Sequence, residues 1–270
     1  MKSEGIRSMT SANKTTFVLC CLLFAVNHLH AQDASMPDKL EATYGFNRTN
    51  QSLLHGVLVS YKNDPTLNIH YETSRGFASV QNGLGLWLVR NTQVKAGYSL
   101  NYMMGRQATA DQRYTGMGNV AGSAAAYAWG EWQPIKDAIS VYGNYSSALR
   151  TTNGSLAQWG VTLGVPVVHR VNAFVDFNRY WANQAYIQTY YGVNSAQTGP
   201  SGYTAFTPHG SGTLYTNSLW GAMVEATKDT DIVIGIGKST ASGALMQSPL
   251  LVQRTQTNAT VVFNQRFHVD

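Results

Sequence analysis

The sequence predicts an all-β protein, a closed, antiparallel transmembrane β-barrel of about 12 strands (about 10 to 14) in an up-and-down meander. Three observations carry that expectation. Short segments of period-two alternation recur along the chain, charge is scarce although the chain is not greasy, and a basic stretch followed by an apolar run opens it.

Charged residues make up 12% of the chain, about half the share of an ordinary globular domain. Mean hydropathy is nevertheless -0.18. Glycine (25), tyrosine (15) and many Ser, Thr, Asn and Gln fill the gap. A surface facing lipid must avoid charge, because each charge at mid-membrane depth costs roughly 2–4 kcal/mol. An exterior without charge around an interior of neutral polar groups fits this composition, and a soluble β-sandwich is the alternative.

Residues 1–31 read as a signal peptide and 32–270 as an outer-membrane barrel. Lys2, Arg7 and Lys14 make a positive start, and Phe17 to Val26 is continuously apolar. The run ends at Leu29-His30-Ala31, with cleavage expected after Ala31. It is shorter than the roughly 20 residues a membrane helix needs. Met1 and Met9 both stand as starts, since Met9 to Ala31 alone makes an ordinary signal. Both cysteines, Cys20 and Cys21, fall within the leader. Val18-Leu19 before them are not small, which argues against lipidation, and the mature chain carries no disulfide into an oxidising compartment. Loss of the leader takes the net charge from +5 to +3, too mild to imply nucleic acid as a partner.

The first strands to stand out lie mid-chain. In Val94-Lys95-Ala96-Gly97-Tyr98-Ser99-Leu100-Asn101-Tyr102 the even positions are apolar and the odd ones polar or glycine. Successive strand residues point to opposite faces, so one face is apolar and the other wet. Trp159, Val161 and Leu163 alternate with Gln158, Gly160 and Thr162, and Trp220 and Val224 alternate with Gly221 and Glu225. Ile139 and Val141 open another strand, and Ile232, Ile234 and Ile236 mark a further one. Noisier copies begin near Glu41, Gly56, Leu67, Leu84, Ala124 and Asn172, and the last runs over 255–267. By this parity Tyr98, Leu100, Trp159, Val161, Leu163, Trp220 and Val224 face lipid. Lys95, Asn101, Gln158, Thr162 and Glu225 face the lumen, as does Arg266.

Turn signals fall between strands at Asn63-Asp64-Pro65, Asn82-Gly83, Thr152-Asn153-Gly154 and Lys228-Asp229. The gaps 105–120, 183–212 and 241–254 are too long for tight turns and read as extracellular loops. Lipid offers no hydrogen bonds, so an open sheet edge cannot sit in it and closure is required. The last strand, with Ala259, Val261, Phe263 and Phe267 on one side, resembles the aromatic-ended assembly signal of outer-membrane barrels.

One block is more specific. Tyr186-Ile187-Gln188-Thr189-Tyr190-Tyr191-Gly192-Val193-Asn194-Ser195-Ala196-Gln197, followed by Ser201-Gly202-Tyr203 and Phe206, resembles the signature of the MipA/OmpV family of outer-membrane proteins. The stretches Tyr114 to Val120, Ser248-Pro249-Leu250-Leu251-Val252 and Gln265-Arg266-Phe267 follow in the family's order, and the resemblance extends from about Gly56 to Phe267. Two segments depart from it. Ser242 to Gln247 lacks the usual acidic, Gly-rich character, and Phe46 to Ser52 lacks the usual Pro-x-Tyr-x-Gly-Ser run. The resemblance implies a non-enzymatic scaffold that joins a periplasmic murein lytic transglycosylase to a bifunctional penicillin-binding protein.

No catalytic, cofactor-binding or metal-ligating residue is assigned. The seven histidines, His28, His30, His55, His70, His169, His209 and His268, include no zinc-type pair. His209-Gly210-Ser211 has the spacing of a His-Ser catalytic pair, but Pro208 and nearby glycines make it a loop. Gly235-Ile236-Gly237 lacks the third glycine and helix of a nucleotide fingerprint. Asp64 with Glu72, or Asp229 with Asp231, read as strand-end charges rather than as acid–base pairs. Beside the scaffold stand two alternatives, a narrow channel for small solutes and a surface adhesin acting through the long loops. The expected partners are outer-membrane lipid and the two murein enzymes, and no nucleic acid.

Overall fold

A two-faced strand needs a hydrogen-bonded partner on both edges as well as cover for its apolar face. The computed structural model, which describes residues 38–49, 62–109 and 112–268, satisfies both edges by closure. The strands are β1 (Lys39–Thr49), β2 (Lys62–Glu72), β3 (Gly76–Ser79), β4 (Gly83–Arg90), β5 (Val94–Met103) and β6 (Ser123–Ile135), then β7 (Ile139–Ala148), β8 (Ser155–Val168), β9 (Val171–Ala182), β10 (Gly212–Thr227), β11 (Thr230–Ala241) and β12 (Thr255–His268). Each pairs antiparallel with its sequence neighbour, and β12 returns to pair with β1 in a closed barrel. The leader, the strand expected near Gly56, and His28, His30 and His55 lie outside the described residues.

The expected parity holds. Tyr98, Leu100, Trp159, Leu163 and Trp220 are exposed on the outward rows. Lys95 and Glu131 stand opposite each other on the inward rows of β5 and β6, as do Gln158 and Tyr180 on β8 and β9. The proline within β8 sits where the register shifts, between Pro166 and Val168, and Pro134 lies within the shift between Trp132 and Ile135. A bulge tolerates the missing backbone donor that a regular ladder would not.

Two local expectations are corrected. Asn63-Asp64-Pro65 is not a turn but part of β2, with Pro65 opposite Phe46 of β1. A strand at the closing seam is fixed by its neighbour's ladder, which overrides the local turn preference. The four-residue β3 was not expected. It is too short to show alternation, yet it inserts between β2 and β4 through turns at 73–75 and 80–82.

At the seam, Thr43 faces Asn264 and Phe46 faces Val261, and Phe267 stands outward opposite Leu40. Phe267→Ala removes the terminal aromatic of this row, whose full burial would be worth roughly 1.5–3 kcal/mol. The amount of heat-modifiable protein in outer-membrane fractions should fall several-fold, and equal amounts of variant and parent would show that the seam does not depend on this ring.

The connections sort by end. Short turns at 73–75, 91–93, 136–138, 169–170 and 228–229 lie at one end, together with the starts of β1 and the finish of β12. At the other end lie 104–122, 149–154, 183–211 and 242–254. The longest holds two helices, α1 (Gln184–Tyr191) and α2 (Ser195–Ser201), in a gap expected to be an irregular loop.

Candidate functional site

The long loops do not stand apart from the barrel; they fold over its mouth. Asn183 caps α1 by accepting from the backbone N–H of Tyr186 (2.9 Å), and the same oxygen accepts from Ser155 N–H (3.0 Å), which ties the helix to β8. Gly154, at φ 68°, makes this approach possible, since a Cβ there would lie 2.2 Å from the Tyr186 nitrogen. Tyr186, Ile187, Tyr190 and Tyr191 share one face of α1, as their spacing requires. They pack with Ala182, Leu214, Tyr215, Ala241 and Leu245 in one core. A second core takes Tyr114 and Met117 from the 104–122 loop, Val193 from 183–211 and Leu250 from 242–254. Each of the described long loops therefore contributes to a shared cap.

Several polar groups in the cap find partners across loops, whereas Arg106 Nε, the Tyr191 hydroxyl and the Ser242 hydroxyl are buried without a hydrogen-bond partner among the described residues. Arg106 is only 5% exposed. Its guanidinium donates to the Tyr190 carbonyl (2.8 Å) and lies 4.3 Å from the centre of the Tyr114 ring. Burial pulls its pKa below the usual arginine value, and Tyr114 acts in the opposite sense. The Tyr190 hydroxyl donates to the Met104 carbonyl (2.7 Å) and accepts from Asn153, whose amide also reaches the Ala121 carbonyl. Ser248 donates to the Tyr191 carbonyl (2.7 Å), and Thr189 donates to the Thr152 carbonyl. Burial raises the Tyr191 hydroxyl well above the ordinary tyrosine pKa. The Tyr-Tyr-Gly-Val block singled out in the sequence is thus the keystone of a lid, and its tyrosines are inaccessible as binding groups.

Beneath the cap, inward aromatic rings lie over glycines of neighbouring strands. Phe77 lies over Gly85, Tyr142 over Gly160 and Phe174 over Gly221, where a Cβ would come within 2.5, 2.6 and 2.7 Å of the rings. Phe77, Trp87 and Trp129 cluster with centroids 4.7 to 5.7 Å apart. Beside them, Glu72 is 4% exposed. Its carboxylate is met by Lys95 Nζ (3.0 Å to each oxygen), His70 Nε2 (2.9 Å) and Arg90 Nε (3.3 Å). Lys95 and Arg90 also approach the Trp87 ring, at 5.8 and 6.0 Å. Across the lumen, Asp176 accepts from Tyr142 (2.7 Å), Thr162 (2.8 Å) and Asn178 (2.7 Å), and Arg266 pairs with Asp231 (3.0 Å).

This arrangement can position and neutralise charge, and among the described residues the carboxylates weighed in the sequence are engaged otherwise than in acid–base pairs. Glu72, weighed in sequence beside Asp64, is ringed by cations, and Asp64 has no described side chain. Asp231 serves Arg266, and Asp229 has Lys228 at 3.9 Å. Glu225 is an exposed strand-end residue next to Asp231 across the ladder. His209 and Ser211 are both exposed in the loop before β10. Among the described residues no three His, Cys, Asp or Glu gather in a metal-binding group. Arg90 and the Phe77–Trp87–Trp129 cluster were missed in the sequence because only the strand register brings them together, and Arg106 because its partner Tyr190 comes from a separate loop. At the turn end, Gln133, Ser140, Thr162, Asn172, Phe174 and Met223 help line a partly open cavity of about 230 Å³.

No curated protein matches the chain. Among solved structures it is similar to the NanC porin, at 9% identity and a TM-score of 0.43, over 84% of this chain and 98% of that one. It is also similar to an outer membrane channel from Pseudomonas putida F1, at 8% identity and a TM-score of 0.43, over 88% and 98%. The CymD monoaromatic hydrocarbon channel gives 9% identity and a TM-score of 0.38, over 87% and 90%. The family model described as MltA-interacting protein MipA matches residues 48–267, which takes in the cap block, the lumen walls and the closing strand, and the chain belongs to that family.

Proposed function

We propose that this chain is a non-enzymatic outer-membrane β-barrel, exported by a leader cleaved after Ala31, that anchors a murein lytic transglycosylase on the periplasmic side. The cap is the observation that carries this reading. Three loops share two apolar cores and hold Arg106 between them, so a folded unit stands over the mouth. The outward rows of the barrel expose Leu100, Trp159, Leu163, Trp220, Ile234 and Val261, a surface suited to lipid. Barrels of this kind carry short turns on the periplasmic side and long loops outside. The capped end therefore faces outward, and the five short turns face the cell wall. Those turns carry Arg75, Lys136, Asp137, Arg170, Lys228 and Asp229, a charged rim for a partner. The family description supplies the transglycosylase as partner, and the resemblance seen in the sequence adds a penicillin-binding protein.

Photo-crosslinking residues placed at Arg75, Lys136 and Lys228 in intact cells test this. Mass spectrometry should identify a murein lytic transglycosylase at one turn or more, and the purified protein should show no steady conductance in planar bilayers. The second reading, a narrow channel, draws on the cavity at the turn end. No adduct at any turn, together with stable single-channel conductance, would establish the channel and remove the anchor.

A further inference from the structure

The outward rows of the described strands carry almost no charge. Arg179 on β9 and Lys238 on β11 are the two exceptions among the described side chains, and both are cations. Arg179 follows Phe177 on its row, and Lys238 follows Ile236. Both are exposed, and neither forms an ion pair among the described residues. The register sets them two strands apart, about 10 Å across the sheet at ~4.8 Å per strand. Thr216 faces Arg179 on one side and Thr240 on the other, while Ser218 faces Lys238, which in turn faces Thr257. Two cations and four hydroxyls thus occupy one continuous outward sector of β9 to β12, next to the capped end.

The sector is one-sided. On β5 the outward row stays apolar up to the cap, with Tyr102 and Met104 exposed, and on β7 and β8 it carries no charge, only Ser147 and Ser155, whose hydroxyls bond each other (3.1 Å). A general interfacial belt would ring the barrel, whereas among the described side chains the outward cations are confined to β9 and β11. Cations on an outward row are tolerated near the edge of the hydrocarbon and penalised within it. An anion placed against them supplies charge-assisted hydrogen bonds, and the intervening hydroxyls suit a polyhydroxylated group.

We propose that the outward face of β9–β12 beside the cap binds a phosphate-bearing glycolipid of the outer leaflet, with Arg179 and Lys238 holding its phosphates and Thr216, Ser218, Thr240 and Thr257 its sugar hydroxyls. The inference rests on the outer-membrane reading and on the capped end facing outward. Lipid acyl chains then lie along Phe177, Trp220 and Ile236 below, where Phe177 and Trp220 meet edge to face at 6.3 Å.

The test uses the full-length protein extracted from outer membranes in mild detergent. Native mass spectrometry counts phosphorylated glycolipid bound to the parent, to Arg179→Gln/Lys238→Gln, and to Lys228→Gln at the opposite end as a charge control. The double variant should lose bound glycolipid by about ten-fold or more, given two lost charge-assisted contacts. The control should keep it, and all three should remain heat-modifiable on gels. In a second measurement the parent is titrated with vesicles containing the diphosphorylated glycolipid or its dephosphorylated form. Only the phosphorylated form should raise the temperature at which the folded band is lost. Equal glycolipid on the double variant, or equal stabilisation by both vesicles, overturns the site while leaving the barrel intact. Recovery of the parent outside the outer-membrane fraction overturns the membrane reading and this inference together.

Discussion

Tyr190→Ala should expose the loops of the cap to protease about 100-fold faster than in the parent, with the barrel still folded. The ring is 2% exposed, and its hydroxyl joins the Met104 carbonyl to the Asn153 amide. Truncating a buried aromatic costs about 3–5 kcal/mol, and here two polar partners also lose their mate. That loss falls on a locally folded unit, so it raises the open population of the cap rather than unfolding the sheet. At about 1.4 kcal/mol per decade, the lower figure corresponds to roughly two orders of magnitude. The measurement is the rate of tryptic cleavage after Arg106 and Arg113, set against heat-modifiable migration of the same sample. Unchanged cleavage would show that the cap does not depend on this latch. Loss of heat-modifiability would show that cap and barrel unfold as one.

The barrel was legible because its strongest rule is local. Val94 to Tyr102 declares two faces in nine residues, and the same parity placed Tyr98 and Leu100 outside and Lys95 inside. Strand pairing then followed from order alone, since an up-and-down meander joins each strand to the next. Where the sequence misled, a neighbour overrode it. Asn63-Asp64-Pro65 has turn chemistry, but the β1 ladder draws it into β2. β3 has four residues, fewer than alternation needs to show itself.

The cap was the harder part. The segment 183–212 reads only as a long loop, although two signals of folded structure are present. Asn183 and Asn194 both precede helical segments as N-caps, and Asn194 with Gln197 forms a capping box. The run Tyr186, Ile187, Tyr190, Tyr191 has the spacing of a helix face. Read together they describe a short amphipathic helix with something to cover, which an extracellular loop bathed in water would not need.

The charged wall was legible only in part. Lys95 and Arg266 were placed inside by parity, but their partners depend on register across strands. Glu72 is 18 residues from Arg90 and 23 from Lys95. No sequence pattern connects residues so spaced. Only the insertion of β3 between β2 and β4 brings them to one level.

Glu72→Ala should lower the temperature at which the folded band disappears further than any other substitution in the lumen. The carboxylate is nearly inaccessible, and it receives Lys95 on both oxygens, His70 on one and Arg90 Nε on the other. Removing it leaves cations facing one another in a space walled by Phe77, Trp87 and Trp129, where water screens them poorly. Breaking a buried pair from one side costs about 3–5 kcal/mol. A hydrophobic replacement of both partners costs much less, because the uncompensated charge goes as well. Glu72→Ala/Lys95→Met should therefore stay folded to a higher temperature than Glu72→Ala alone, although it carries one more substitution. Glu72→Gln, which keeps the shape and one acceptor, should fall between the parent and Glu72→Ala. The experiment is a gel-shift temperature series on the four proteins in one detergent. A double variant that melts no higher than Glu72→Ala, with the two losses simply adding, would mean that packing rather than charge holds this wall together.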